Sequence, residues 1–153
     1  MIETPRLIIA DRQFKDIPTE VFYLTLHPEL RDLDPTVGES RGAVFYSIFT
    51  KDVNRHIGIC CLYNPTTSTC ELGVRIFNPD YWNEGYGSEV VNALCEYVFN
   101  FSLIITILAK TPSHNSRAIR CYEKCQFTQY SQAVLDEHDM VFMRRQRCLL
   151  QKS

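Results

Sequence analysis

The chain reads as a single α/β domain, a mixed and mostly antiparallel central sheet flanked by helices, in the order β-α-β-β-β-α-β-α-β-β. Three observations predict it. Between residues 43 and 77, three short aromatic and β-branched segments alternate with short polar turns, the pattern of an antiparallel meander. Residues 87–101 and 115–124 instead repeat their apolar positions with helical spacing. Between those helices, Leu103 to Ala109 is an unbroken apolar run, as expected of a strand buried on both faces.

Each element has a local reason. Arg6 to Asp11 is apolar and extended after Pro5. Lys15 to Leu26 predicts a short helix with Pro18 in its first turn, where a missing N–H is harmless. His27 to Glu39 carries Pro28, Asp32, Asp34, Pro35 and Gly38 and predicts irregular chain. The meander strands are Ala43 to Phe49, His56 to Tyr63 and Cys70 to Phe77. In Gly87 to Phe101, Val90, Val91, Leu94, Val98 and Phe101 share one face, with Glu89, Asn92, Glu96 and Asn100 opposite. In the second helix, Asn115 to Lys124, the inward residues are Ala118, Cys121, Tyr122 and Cys125. Phe127 to Leu135 and Val141 to Arg147 predict a closing strand pair around Asp136-Glu137-His138-Asp139.

Composition narrows the function. The chain has 153 residues, 45% of them hydrophobic and 22% charged, ordinary globular usage that argues against disorder, collagen or coiled coil. A formal net charge of -2 argues against a nucleic-acid binder, which usually shows a basic excess. The longest apolar run is too short for the ~20 helical residues that cross a bilayer, and the N-terminus lacks signal-peptide features. Seven cysteines without disulfide-framework spacing suit a reducing cytosol, so the expected location is cytoplasmic. Cys121 and Cys125 are four apart with no second pair to complete a zinc site, so no metal is expected.

The informative segment is Trp82-Asn83-Glu84-Gly85-Tyr86-Gly87-Ser88, between a strand and a helix. A glycine-rich turn opening a helix lets a ligand approach the backbone, and presents unpaired N–H groups and the positive dipole end to an anion. It is a candidate phosphate cradle; the alternative is a tight turn that binds nothing. A P-loop is excluded because Gly-x4-Gly-Lys-Ser/Thr is missing. A dinucleotide fingerprint is excluded because Val90 stands at its third glycine.

Three ordered stretches resemble the GNAT superfamily of acetyltransferases. Tyr81-Trp82-Asn83-Glu84-Gly85-Tyr86-Gly87-Ser88-Glu89 is similar to its acetyl-CoA pyrophosphate loop, most of all in the branch containing ribosomal-protein N-terminal acetyltransferases. Asn115, Ala118, Tyr122, Glu123, Lys124 and Phe127 fit that branch's Asn-x-x-Ala-x-x-x-Tyr-Glu-Lys-x-x-Phe, and Glu3-Thr4-Pro5-Arg6-Leu7 resembles its Thr-x-Arg-Leu opening. The resemblance covers nearly the whole chain, residues 1–153, and agrees with the element order.

The resemblance implies an N-acetyltransferase moving acetyl from acetyl-CoA, as co-substrate, to a primary amine by direct attack in a ternary complex. It places Val74, Arg75 and Ile76 on the splayed strand that meets the pantetheine arm. The amides of Gly85, Tyr86, Gly87 and Ser88 would hold the pyrophosphate, within a loop that includes Trp82, Asn83 and Glu84. Asn115 and Ala118 open the helix beside the cofactor arm. Tyr122 is the implied general acid for the departing thiolate; a phenol near pKa 10 is protonated at pH 7 and able to donate. Periodicity alone equally allows a core tyrosine. Glu71 is the candidate base, directly or through water; the alternative is a solvated pair with Arg75 on the same strand face. His114 is titratable but reads as a surface histidine.

Three departures stand out: Trp82 at the loop position where the superfamily commonly has Gln or Arg, Glu84 where a basic or amide residue is frequent, and Gln126 where a glycine commonly adopts the left-handed conformation. Residues 15–39 and 136–139 are the expected substrate walls, with Asp32, Asp34, Glu39, Asp136, Glu137 and Asp139 available to a cationic amine. The acceptor is a small amine or a protein N-terminus, with no nucleic-acid or membrane partner; a homodimer is possible through sheet edges. Other classes remain: a non-catalytic CoA-binding sensor or interaction module, or an assembly protein with an empty loop.

Overall fold

The computed structural model describes residues 1–27 and 42–148. Their strands and helices run β1 (Ile2–Glu3), β2 (Leu7–Asp11), α1 (Ile17–Leu26), β3 (Val44–Thr50), β4 (His56–Tyr63), β5 (Thr69–Ile76), α2 (Tyr86–Phe101), β6 (Thr106–Pro112), α3 (Ser116–Lys124), β7 (Thr128–Leu135) and β8 (His138–Gln146). All eight strands form one sheet in the order β1-β2-β3-β4-β5-β6-β8-β7. Every pair is antiparallel except β5–β6. The α/β fold and the mixed, mostly antiparallel sheet are as the sequence predicts, with the two-residue β1 added.

Alternation along β5 divides the two faces of the sheet. Cys70, Leu72 and Val74 point to the α2 side and pack with Val91, Cys95 and Val98 of that helix. Val90 and Leu94, one helical step round, pack on Leu7, Ile9, Ile48, Ile57 and Cys60 of β2–β4. The opposite face receives α1, where Tyr23 stacks on Phe77 with ring centroids 5.0 Å apart. A 3-10 turn, Phe14–Asp16, precedes α1, and Pro18 sits in its first turn as expected.

Some boundaries differ from the sequence expectation, for physical reasons. The apolar run from Leu103 does not start a doubly buried strand: Leu103 is 88% exposed, and β6 begins at Thr106, where the amides of Ile105 and Thr106 turn onto the Ser68 carbonyl. Burial alternates from Thr106 to Thr111, and only at the end of the strand are two neighbours, Thr111 and Pro112, both buried. Phe101, inward by its helical spacing, is exposed at the end of α2, while Cys95 fills the core instead. The last hairpin turns on Asp136 and Glu137 alone, both at positive φ, so β8 starts at His138 rather than Val141. Gln126 takes the left-handed conformation, φ 68, expected of a glycine there.

Arg147, beyond β8, closes the far end of α2. Its guanidinium donates to the carbonyls of Phe99 and Ser102, acceptors that the helix C-terminus leaves without partners, and to that of Ile104 just beyond.

Candidate functional site

The parallel β5–β6 pair holds for three rungs, Thr69↔Thr106, Cys70↔Ile107 and Glu71↔Leu108, and then the strands diverge. Phe77 N bonds Ile57 O across β4–β5, so by strict alternation the amide and carbonyl of Val74 and Ile76 point into the opened gap. The Ile76 carbonyl accepts from Trp82 Nε1 at 2.6 Å, which ties the glycine loop to the end of the strand.

A cavity of about 790 Å³ occupies this gap and reaches both sheet faces, touching Val74, Ile76 and Val91 on one side and Phe45, Gly73, Arg75, Glu20 and Leu24 on the other. Its size is that of a cofactor cleft. At its end stands the first turn of α2. Gly85 is the N-cap at φ 83, a left-handed conformation suited to glycine, and no side chain caps the helix. Gly85, Tyr86, Gly87 and Ser88 therefore bring main-chain donors to the cavity wall without a competing side-chain acceptor.

The wall is strongly cationic. Arg12, Arg75, Lys110, Arg117, Arg120 and Lys124 line it, against Glu20 alone among carboxylates of the described residues. Glu20 is itself committed, held in a bidentate pair by Arg12 at 2.8 and 2.9 Å. Arg117 lies 4.1 Å over the Trp82 ring, so the tryptophan that replaces a polar loop residue carries a guanidinium from α3 beside the loop.

The N-terminal segment anchors the same turn. Glu89 accepts from the Thr4 hydroxyl, from Arg6 N at 3.1 Å and from Arg6 Nε at 2.8 Å. Burial alone would raise the Glu89 carboxyl; the Thr4 and Arg6 hydrogen bonds outweigh it and hold it below the ordinary range. The Arg6 guanidinium also stacks on Tyr86 at 3.9 Å. The Thr4-Pro5-Arg6-Leu7 opening is thus a clamp on the helix that carries the loop amides.

Of the residues singled out from the sequence, Val74, Arg75, Ile76, Trp82, Asn83, Gly85, Tyr86, Gly87, Ser88, Asn115, Ala118 and Tyr122 all line this cavity. Asn115 caps α3, its Oδ1 accepting from Ala118 N at 3.2 Å. Tyr122 is 6% exposed and its ring centroid lies 5.4 Å from that of Phe127, so it belongs to core and cavity at once. Glu84 and Glu71 are not on the wall. Glu84 is exposed on the loop's outer side. Glu71, at the last rung before the gap, accepts from Asn64 Nδ2 at 2.7 Å and pairs with Lys110 at 3.7 Å, rather than with Arg75. His114 is exposed.

Neither do Asp136, Glu137 and Asp139 reach the cavity; Asp139 is bound by Ser113 and Gln132, each at 2.9 Å. Asp32, Asp34 and Glu39 lie outside the described residues. Sequence reasoning missed Arg12, Phe45 and Arg117; Glu20 and Leu24, which also line the cavity, belong to the segment 15–39 expected as a substrate wall. Only the Trp82–Arg117 pair left a trace in the sequence, an aromatic where a polar residue is usual. Among the described residues no three His, Cys, Asp or Glu side chains gather as a metal site.

Among the described residues, an eight-stranded sheet splits beside a helix N-terminus, and a cationic cleft lies in the split. The family model for the acetyltransferase (GNAT) domain matches residues 24–128, and the chain belongs to that family. It is 28% identical over 136 residues to an uncharacterized N-acetyltransferase, YnaD, of Bacillus subtilis, covering 80% of this chain and 79% of that one. A GNAT-family acetyltransferase from Bacillus anthracis superposes with a TM-score of 0.80 at 23% identity, over 95% of this chain and 97% of that one. The aminoglycoside acetyltransferase AAC(6')-Ib, solved with coenzyme A, gives 0.78 at 18% identity, over 92% and 95%. These structural likenesses bear on the fold.

Proposed function

We propose that this chain transfers acetyl from acetyl-CoA to a primary amine, with both reactants held in the cavity at the β5–β6 split. The observation that carries this reading is the convergence on one cavity of an open strand edge, an uncapped helix N-terminus and the Tyr122 side chain. A polyanionic cofactor fits the residues present: uncapped amides at Gly85 to Ser88, and Arg117, Arg120 and Lys124 beside them. The main-chain groups of Val74 would pair with the amide-bearing arm as a neighbouring strand would.

Acetyl-CoA supplies an activated acyl group, so the chain's task is positioning and proton transfer. Holding amine and thioester in one cleft removes most of the entropic barrier to their encounter. Tyr122, on the cavity wall, is the phenol that donates a proton to the leaving sulfur. Glu71 stands outside the wall, so a proton that it takes from the amine passes through an intervening water. The acceptor enters from the α1 face, past Arg12, Glu20, Leu24 and Phe45. Either a protein N-terminus, as the opening and loop motifs support, or a small amine suits this reading.

The test is thiol release from acetyl-CoA with a panel of amines and amino-terminal peptides, for wild type and Tyr122→Phe. A positioned general acid contributes ~10²–10⁴ in rate, so the variant is expected to lose about 100-fold or more in kcat while retaining its KM for acetyl-CoA. Equal background turnover in both proteins would overturn catalysis in favour of a CoA-binding sensor. An unchanged melting temperature in millimolar CoA would remove the cofactor altogether, since a ligand bound to the native state must stabilise it.

A further inference from the structure

The two edges of the sheet differ. β1 ends it on one side with only Ile2 and Glu3. β7 ends it on the other with 8 residues, Thr128–Leu135, and every side chain but that of Leu135 is exposed. Edge strands are commonly guarded by lysine, proline or an inward-pointing charge. The β7 sequence, Thr-Gln-Tyr-Ser-Gln-Ala-Val-Leu, has none of these, and its one irregularity is a bulge at Tyr130.

The hairpin fixes which main-chain groups of β7 lack partners. A two-residue turn with both residues at positive φ closes on a hydrogen-bonded pair, here Leu135↔His138. Bonded and non-bonded pairs then alternate, so Leu135, Ala133 and Ser131 direct their N–H and C=O groups to β8. Gln132 and Val134 aim theirs outward, where no strand of the described residues pairs with them.

That spacing is self-complementary. Two copies of β7 related by a two-fold axis run antiparallel, and their outward groups meet when Gln132 of each faces Val134 of the other. Both N–H and both C=O groups of each copy are then satisfied. The axis passes through Ala133, a small side chain at the position where two strands approach most closely. The bulge selects this register. Tyr130 lies on the sheet face of Phe142, with ring centroids 6.4 Å apart, whereas Val134 alternates to the other face. A slip that set Tyr130 opposite Val134 would leave their side chains on opposite faces. In the chosen register Asp136, next after Leu135, comes beside Tyr130 of the second copy. Arg144 lies 5.3 Å over that ring, and neither Arg144 nor Asp136 has an ion pair among the described residues.

We propose that the β7 edge is an interface for a second copy of this chain, which continues the sheet from β7 to β7 and sets Asp136 of each copy against Arg144 of the other. β8 and β6 separate this edge from the cavity, so the inference is independent of the acetyl-transfer reading. Pairing over residues 131–135 makes a small contact, at the weak end of specific interfaces, and a Kd of about 1–100 μM is expected.

Sedimentation velocity of the full chain from about 1 μM to about 500 μM spans that range. The wild type should pass from monomer to dimer with concentration. Val134→Pro removes only an outward N–H, which an edge strand tolerates, and should stay monomeric with an unchanged circular dichroism spectrum. Asp136→Arg and Arg144→Asp should each weaken the dimer by about tenfold or more, and the double variant should recover most of that loss. Ala133→Cys reads the register directly. Strands about 4.5 Å apart at the axis lie within disulfide reach, so mild oxidation should give a covalent dimer joined at position 133 by peptide mass spectrometry. A wild type that is monomeric throughout, a dimer indifferent to Val134→Pro, or charge variants that the double variant does not rescue would each overturn the proposal.

Discussion

Glu89→Gln removes the charge at the centre of the clamp on α2. Three donors, the Thr4 hydroxyl, Arg6 N and Arg6 Nε, converge on two carboxylate oxygens whose side chain is 16% exposed. A glutamine keeps one oxygen and turns an NH₂ towards the remaining donors, so at least one charge-assisted hydrogen bond is lost, worth ~1.5–3 kcal/mol. The Arg6 side chain is 42% exposed and water replaces part of its pairing, which places the net cost near 2 kcal/mol. For a domain of this size that is a fall of about 4–8 °C in melting temperature. The effect carries a pH signature. Because the folded Glu89 carboxyl lies below its ordinary 4.5, its contribution is fully present above that value and is lost as pH falls through the folded pKa. Thermal and urea unfolding of wild type, Glu89→Gln, Thr4→Val and the double variant at pH 7 and in acid measure both. A drop under about 1 °C at pH 7, or additive single effects in the double variant, would refute the clamp.

Three further outcomes follow from the same geometry. Gly58→Ala would aim its Cβ at the Arg75 carbonyl 2.5 Å away, a backbone atom on the cavity wall; it should destabilise by about 2 kcal/mol or more and weaken CoA binding, checked by urea unfolding and calorimetry. Gln126→Gly relieves a left-handed non-glycine residue and should stabilise by about 1 kcal/mol, visible as a melting temperature about 2–4 °C higher. His56 donates through Nε2 to Gly58 O between the rings of Phe49 and Phe77, with a buried Nδ1 that has no partner, and burial lowers its pKa below 6.5. The native state therefore binds fewer protons than the unfolded chain, and stability should fall as pH drops from 6.5 towards the folded value; His56→Phe should flatten that slope in a series of melting curves.

Much of this architecture is legible in the chain because it depends on local patterning. The α2 and α3 periodicities, the meander turns and the glycine loop each state their element within a few residues. What the chain does not spell out is non-local. Phe101 has the spacing of an inward residue, but the helix outruns the sheet beneath it. Leu103 looks like a strand, but the chain must first cross from the end of α2 to Ser68. Glu71 alternates with Arg75 on one strand face, yet its ion partner comes from β6, thirty-nine positions further along the chain. The Arg12–Glu20 pair has no signature in sequence at all, since only the seating of α1 on the sheet brings its two members together. Cavity residues that belong to a motif were readable; those supplied by the opposite wall were not.

Arg6 and Arg147 fasten α2 from opposite ends of the described chain, one at its first turn and one at its last. During synthesis the helix and its glycine loop therefore emerge with only the first fastening in reach, and the second waits for β8 to complete its register against β6. The far end of α2 is thus completed last, through contacts of long sequence separation that form slowly. A nascent chain should gain affinity for CoA abruptly, when its final strand docks, rather than by degrees as the loop appears.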